Sequence, residues 1–255
     1  MFEYGSLRID TYSVVWFVAL MLAIFWALRR LRIYGIDEDE ARSVMAWSFV
    51  IMLLGARMPE YIQNFRVYMN NPKLFLDLNR GSLHEIGAIL GAFLSALIMC
   101  VVKNLRGKNI SFARMCDVAI IPAFAAIAIG RWGCFLNGCC FGLRSSSIFA
   151  VHFPFDAAGV TRHPTQIYYS VFACVNVLIL FLIERKLLAG KNPRSGSIIA
   201  PLGICLYCVM RFVINFFRTM SPFYTSFMQV TIWSGTFVSV IWLGISLRKL
   251  SGQNS

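Results

Sequence analysis

Apolar runs long enough to cross a bilayer, about 20 residues each, recur near 12–28, 44–63, 85–102, 116–132, 166–183, 198–217 and 227–247. The fourth is short and reads as a tilted or half-buried helix. Their length predicts membrane-spanning helices, whose apolar exterior lipid can cover. Polar connectors separate them. Arg29, Arg30, Arg32 and Arg42 follow the first run; Lys103, Arg106, Lys108 and Arg114 follow the third. Arg185, Lys186, Lys191 and Arg194 follow the fifth, and Arg248 with Lys249 the seventh. The opposite set has only Arg8, Arg66, Lys73, Arg80, Arg131, Arg144, Arg162 and Arg218. Basic residues gather on the cytoplasmic side of membrane proteins. The pattern therefore predicts an all-α polytopic membrane protein with about seven spans, its N-terminus outside and its C-terminus inside.

Two outer connectors are long. The first, 64–84, contains Asn70-Asn71-Pro72, a turn signal, and reads as an outer arm. The second, 133–165, contains Phe135, Phe141, Phe149, Phe153 and Phe155, too many aromatics for a disordered linker. It reads as a small periplasmic cap inserted in a single membrane domain, 1–255.

Composition agrees with this reading. Hydrophobic residues form 58 % of the chain and charged residues 14 %, against about 25 % charged in soluble domains. No small-residue cleavage site follows the first run, so a retained span is expected rather than a signal peptide. The net charge of +12 is explained by the connectors and gives no reason to expect nucleic-acid binding. No internal repeat is visible, which weighs against a transporter built from two related halves.

Candidate chemistry lies in charges placed where lipid is expected. Arg57, Arg131 and Arg211 interrupt apolar runs or sit at their edges. An arginine at mid-bilayer costs about 2.5–3.5 kcal/mol on insertion scales and so faces a cavity or a partner. The alternative, a side chain snorkelling to the interface, stays open for Arg57 and Arg218. Arginine holds a phosphate bidentately and stays protonated in apolar surroundings, so a membrane cavity lined by arginines points to a phospholipid headgroup. Three strings are dense in polar and glycine positions: Gly130-Arg131-Trp132-Gly133-Cys134-Phe135-Leu136-Asn137-Gly138-Cys139-Cys140-Phe141-Gly142, Arg162-His163-Pro164-Thr165-Gln166-Ile167-Tyr168, and Arg211-Phe212-Val213-Ile214-Asn215-Phe216-Phe217-Arg218.

These strings, in this order, resemble the motifs of the prolipoprotein diacylglyceryl transferase family. The resemblance extends to Tyr12, Gly55-Ala56-Arg57, Asn71-Pro72 and Asp117. It implies an inner-membrane enzyme that moves the diacylglyceryl group of phosphatidylglycerol onto the lipobox cysteine of a preprolipoprotein signal peptide. A thioether forms, glycerol phosphate leaves, and no metal or organic cofactor takes part. Carried over residue by residue, the family's key arginines are Arg131 and Arg211, and Tyr12, Asn137 and Gly142 match further motif positions. The expected catalytic set is Arg131, Arg211, His84 and Tyr12. The expected substrate-binding set is Arg131, Asn137, Gly142, Arg211, Arg218, His163 and Arg57.

Some positions depart from that pattern. Cys134 stands where the family often has asparagine, and Cys139, Tyr169 and Asn215 stand where it has glutamate. Its histidine aligns with Ile86, while His84 lies two residues earlier. The departures keep open a diverged relative with another acceptor, beside a non-enzymatic lipid-binding protein. Cys134, Cys139 and Cys140 have no evident fourth zinc ligand, which leaves packing, a disulfide or a metal as readings. His163 reads either as a base or as the anchor of the cap.

Overall fold

The structure, a computed structural model, describes residues 2–4, 7–9, 11–76, 84–188, 197–218 and 222–251. Arg80, Lys191 and Arg194, counted among the connector charges above, lie outside the described residues. Two three-residue strands, β1 (Phe2–Tyr4) and β2 (Leu7–Ile9), pair antiparallel. The other regular elements are helical: α1 (Thr11–Ile33), α2 (Glu38–Gln63), α3 (Phe65–Asn70), a 3-10 turn (Pro72–Leu76), α4 (Glu85–Leu105), α5 (Phe112–Leu136), α6 (Thr165–Leu188), α7 (Ile199–Asn215) and α8 (Pro222–Ser251). Six of these are long and apolar enough to cross a membrane: α1, α2, α4, α5, α6 and the Met228–Lys249 portion of α8. The chain is a multi-pass membrane protein. Seen along α8, Val230, Trp233, Phe237 and Ile241 are exposed at helical spacing, a face suited to lipid and not to water.

The fourth apolar run is longer than its hydropathy suggests. At 25 residues α5 exceeds the 116–132 run at both ends, because helix continues until a glycine can reverse the backbone. At its C-terminus the Cys139 amide donates to the Cys134 carbonyl (3.0 Å) and the Gly138 amide to that of Phe135 (3.1 Å), with Gly138 at φ 63°. That is a Schellman cap.

The chain divides into two compact units, Met1–Arg30 with Cys116–Ser255, and Leu31–Met115. In the second, α2 and α4 are joined by glycines. A Cβ on Gly55 would meet the Gly87 carbonyl oxygen and, at 3.1 Å, the Gly91 Cα. Lipid supplies no hydrophobic force between helices, so such close backbone approach is how they associate. Away from the glycines, the Lys103 ammonium meets the Glu40 carboxylate (2.5 Å).

In the first unit the core is Ile121, Phe124 and Ala128 of α5, Tyr169, Ala173 and Leu180 of α6, and Ile199, Met210 and Ile214 of α7. One end is fastened by charge. The Arg30 guanidinium, 1 % exposed, donates to both Glu184 carboxylate oxygens (2.6 and 2.7 Å) and to the Val118 and Asp117 carbonyls (2.9 and 2.8 Å). The Asp117 carboxylate accepts from the Ala200 amide (2.6 Å) at the start of α7. Arg30, expected as one of the orientation-setting connector charges, is instead a buried tie among α1, α5 and α6. An isolated charge here would cost more than the helix could recover, so it is fully satisfied.

Removing one partner of this pair leaves a buried charge alone. Arg30→Leu or Glu184→Leu should each destabilise by about 3–5 kcal/mol, and the double replacement by less than either single. Thermal unfolding in detergent compares the three; a double variant as damaged as the sum of the singles would deny the pairing.

Candidate active site

At the opposite end of the same helices, Arg131 near the C-terminus of α5 and Arg211 near the end of α7 both reach α6. Arg131 is 5 % exposed and Arg211 1 %. The Arg131 Cζ lies 3.9 Å from the centroid of the Tyr169 ring and the Arg211 Cζ lies 5.2 Å from the same centroid. Arg211 also donates through Nη1 to the Tyr169 hydroxyl and turns Nη2 towards the Met228 sulfur. Tyr169 itself is fully buried. Two cations thus share one phenol, whose ring attracts each through its negative face. In the sequence Tyr169 stands where the family pattern has glutamate, and no local signal marks it, because both arginines reach it from other helices.

Glycines on α5 bring α1 to this place. A Cβ on Gly130 would meet the Trp16 indole (2.7 Å), and one on Gly133 would meet Val15 Cβ (3.1 Å) and the Tyr12 carbonyl (3.2 Å). Tyr12 is therefore carried to the turn of α5 that bears Arg131, with its ring 6.4 Å from that of Trp16.

The loop after α5 is ordered by its own backbone. The Gly142 amide donates to the His163 carbonyl (2.9 Å), the His163 amide to that of Leu143 (3.0 Å), and the Leu143 amide to that of Phe217 (2.8 Å). Gly142 has no space for a side chain, since a Cβ would meet the Phe217 carbonyl oxygen, Thr165 Cγ2 (2.8 Å) and His163 Cβ (2.9 Å). Thr165 donates to the Cys140 carbonyl (2.7 Å) and Gln166 to the Cys139 carbonyl (2.5 Å), and both side chains are fully buried. Farther out, Arg162 forks onto Asp156 (2.8 Å) and holds that carboxyl below its usual range. Thr165 and Gln166, not expected as site residues, are thus the hinge pins of the loop.

His163 packs in this joint. Its Nδ1 lies 3.0 Å from the Tyr168 hydroxyl and its ring 5.1 Å from that of Phe217. Asn215 ends α7 and Arg218 follows it; among the described residues, the buried Asn215 Oδ1 and Arg218 Nε have no hydrogen-bond partner. Such atoms are available to a polar ligand. Asn137 stands apart from the arginines: it is exposed and lines a cavity of about 470 Å³ with Phe135, His152, Phe153 and Phe155, to which neither Arg131 nor Arg211 contributes.

Arg57 and His84 belong to the second unit. Arg57 is 6 % exposed, a depth at odds with a side chain snorkelling to water. His84 precedes α4, donates its amide to the Ala56 carbonyl (2.8 Å), and sets Nε2 3.7 Å from the Glu60 carboxylate. Ile86, at the position expected of the family histidine, is buried and apolar.

The family model described as prolipoprotein diacylglyceryl transferase matches residues 1–248. A phosphatidylglycerol--prolipoprotein diacylglyceryl transferase of Clostridium novyi is 33 % identical over 93 % of this chain and 90 % of its own length. The protein of that name from Clostridium tetani is 29 % identical over 86 % of this chain and 84 % of its own. That of Staphylococcus haemolyticus is 28 % identical over 100 % of this chain and 89 % of its own.

Because backbone and not a mobile side chain crowds Gly142, Gly142→Ala should part the loop from α6 and α7. Limited proteolysis should cut the 143–160 segment faster in the variant, with an overpacking cost of about 1–3 kcal/mol in thermal unfolding. Unchanged cleavage and stability would deny the close packing.

Proposed function

The chain belongs to the prolipoprotein diacylglyceryl transferase family, and on that premise we propose that Arg131 and Arg211 hold the phosphate of one phosphatidylglycerol while its diacylglyceryl group is transferred. The protein is a transferase of lipoprotein biosynthesis, moving that group from phosphatidylglycerol to a prolipoprotein. The acceptor atom is the thiol of the lipobox cysteine in the signal peptide. Its sulfur bonds to the glycerol carbon that carries the phosphate, the carbon–oxygen bond breaks, and glycerol phosphate departs with the electron pair.

The observation that supports this reading is the meeting of two guanidiniums on Tyr169. Negative charge grows on the departing phosphate, and donors fixed in a low-dielectric site stabilise it without reorganising. The phenol contacts both guanidiniums and brings no formal charge, where a glutamate at 169 would. Arg218 and Asn215 supply further polar atoms at the end of α7, and Tyr12 a hydroxyl beside Arg131. Asn137, Gly142 and His163 act on the loop that frames the donor. Arg57 is assigned to headgroup binding. His84 is assigned the thiol proton; its support is the Glu60 carboxylate 3.7 Å from Nε2, which orients the imidazole.

The membrane is the bacterial plasma membrane. We count α7 as a seventh span although its 17 residues rise only about 25 Å, with Ile198 and Phe216-Phe217 extending its apolar length. The N-terminus, the 64–84 arm and the 133–165 cap are outside, and 1–255 is one membrane domain. A cysteine introduced at the exposed Asn109 should react with a permeant maleimide and not with an impermeant one added to intact cells. Labelling from outside would reverse the orientation.

Lysine keeps the charge of arginine and loses its fork. Arg131→Lys and Arg211→Lys should insert and fold but turn over about 10²–10³-fold more slowly with labelled phosphatidylglycerol. The double variant should be scarcely slower than the poorer single, since both act on one developing charge. Tyr169→Phe, which keeps the ring and loses the hydroxyl held by Arg211, should fall between these and the parent. Near-normal rates in both lysine variants would remove the phosphate-holding role. Rescue of a strain depleted of its own transferase, with thioether lipid on a reporter lipoprotein, tests the acceptor.

A further inference from the structure

Three side chains of the densest motif have no part in the reading above. The sulfurs of Cys134, Cys139 and Cys140 lie within 4.8 Å of one another, and all three residues are free thiols. Backbone geometry brings them together. In a Schellman cap the residue after the left-handed glycine falls against the residue that opens the last turn, and here those are Cys139 and Cys134. Cys140 then takes φ 61°, alone among the described non-glycine residues in a positive φ. A side chain held in that region costs about 1–3 kcal/mol, and this turn is what returns the third thiol to the first two. The two carbonyls of the turn are fixed by Gln166 and Thr165, so the thiols sit on a rigid backbone.

We propose that Cys134, Cys139 and Cys140 form a three-sulfur site for a thiophilic closed-shell cation, with cuprous copper the best match. Sulfur ligands alone select soft ions. Zinc in a structural site takes four ligands, and cuprous copper is satisfied by three in a plane. With metal–sulfur bonds of about 2.3 Å, three sulfurs around one ion stand about 4 Å apart. The three sulfurs, all within 4.8 Å of one another, stand close to that spacing. Binding exchanges thiol protons for the cation; no electron moves, and the protons leave to solvent. Cys134 lies three residues after Arg131, on the same face of α5. An occupied cluster of thiolates carries net negative charge there and competes for the guanidinium, so the ion inhibits transfer. That last consequence rests on the phosphate-holding role of Arg131; the binding does not.

The test uses the full chain in detergent, reduced and anaerobic, with Cu⁺ supplied against a chromophoric Cu⁺ chelator. One equivalent per chain should be withdrawn from the chelator, with affinity falling by more than roughly a hundredfold in Cys139→Ala/Cys140→Ala and holding in Cys174→Ala. Parallel mass spectrometry of the unmodified protein should show Cu⁺ protecting Cys139 and Cys140 from alkylation, a readout that needs no variant to fold. Equal binding by the double variant, or no protection, overturns the site. So does a count below eight free thiols in protein prepared without reductant, if the loss maps to these three residues, because a disulfide would then explain them. Inhibition is assayed separately: binding without inhibition keeps the site and removes only its link to Arg131.

Discussion

A guanidinium cannot lose its charge to suit an apolar span, so each one buried in these helices needs its surroundings arranged for it. The first unit solves the problem twice, in opposite ways, on the same pair of helices. Near Asp117 on α5 and Glu184 on α6, Arg30 has a carboxylate and two backbone carbonyls, and its charge is cancelled in place. Some 15 residues along each helix, about 22 Å, Arg131 and Arg211 meet Tyr169. There the shared contact is the Tyr169 ring, which brings no formal charge of its own. One end is tied by an ion pair, and the other by cation–π contact.

Close backbone contact makes both arrangements possible. Gly130 and Gly133 admit the Tyr12–Trp16 turn of α1 against α5, and Gly142 admits the Phe217 carbonyl against the loop. The second unit uses the same device between α2 and α4 at Gly55, Gly87 and Gly91. In lipid, dispersion contacts between backbones take the place of the hydrophobic effect, so the glycines are structural in the strict sense. The motif glycines and the motif arginines are therefore one feature: the first set the distance at which the second can act.

The chain's departures from its family's pattern concern which partners the arginines have and leave the arginines in place. At Tyr169 the two guanidiniums meet an aromatic ring, so the contact there is cation–π. The three cysteines are a second departure, and the cap of α5 makes them neighbours. Two stretches of the same motif thus present different donors, guanidinium nitrogens at Arg131 and thiol sulfurs at Cys134, Cys139 and Cys140.

Hydropathy is a local property, summed over some 20 adjacent residues, so the sequence alone located the helices and marked the chain as a membrane protein. It understated α5, because a count of apolar residues stops before the glycine that ends the helix. The motif order sufficed to indicate the family, and placement of Arg131 and Arg211 in apolar runs sufficed to single them out. Pairing is not local. Arg30 and Glu184 are 154 positions apart, and in the sequence Arg30 is indistinguishable from the connector charges beside it. Tyr169 reads as a missing glutamate until two guanidiniums are found against its ring. The thiols of Cys139 and Cys140 converge on Cys134 through two left-handed backbone angles that the string Asn-Gly-Cys-Cys only permits. Which guanidinium meets a carboxylate, which meets a ring, and which side chains stand together are decided by helices crossing in space, where distance depends on packing and not on position along the chain.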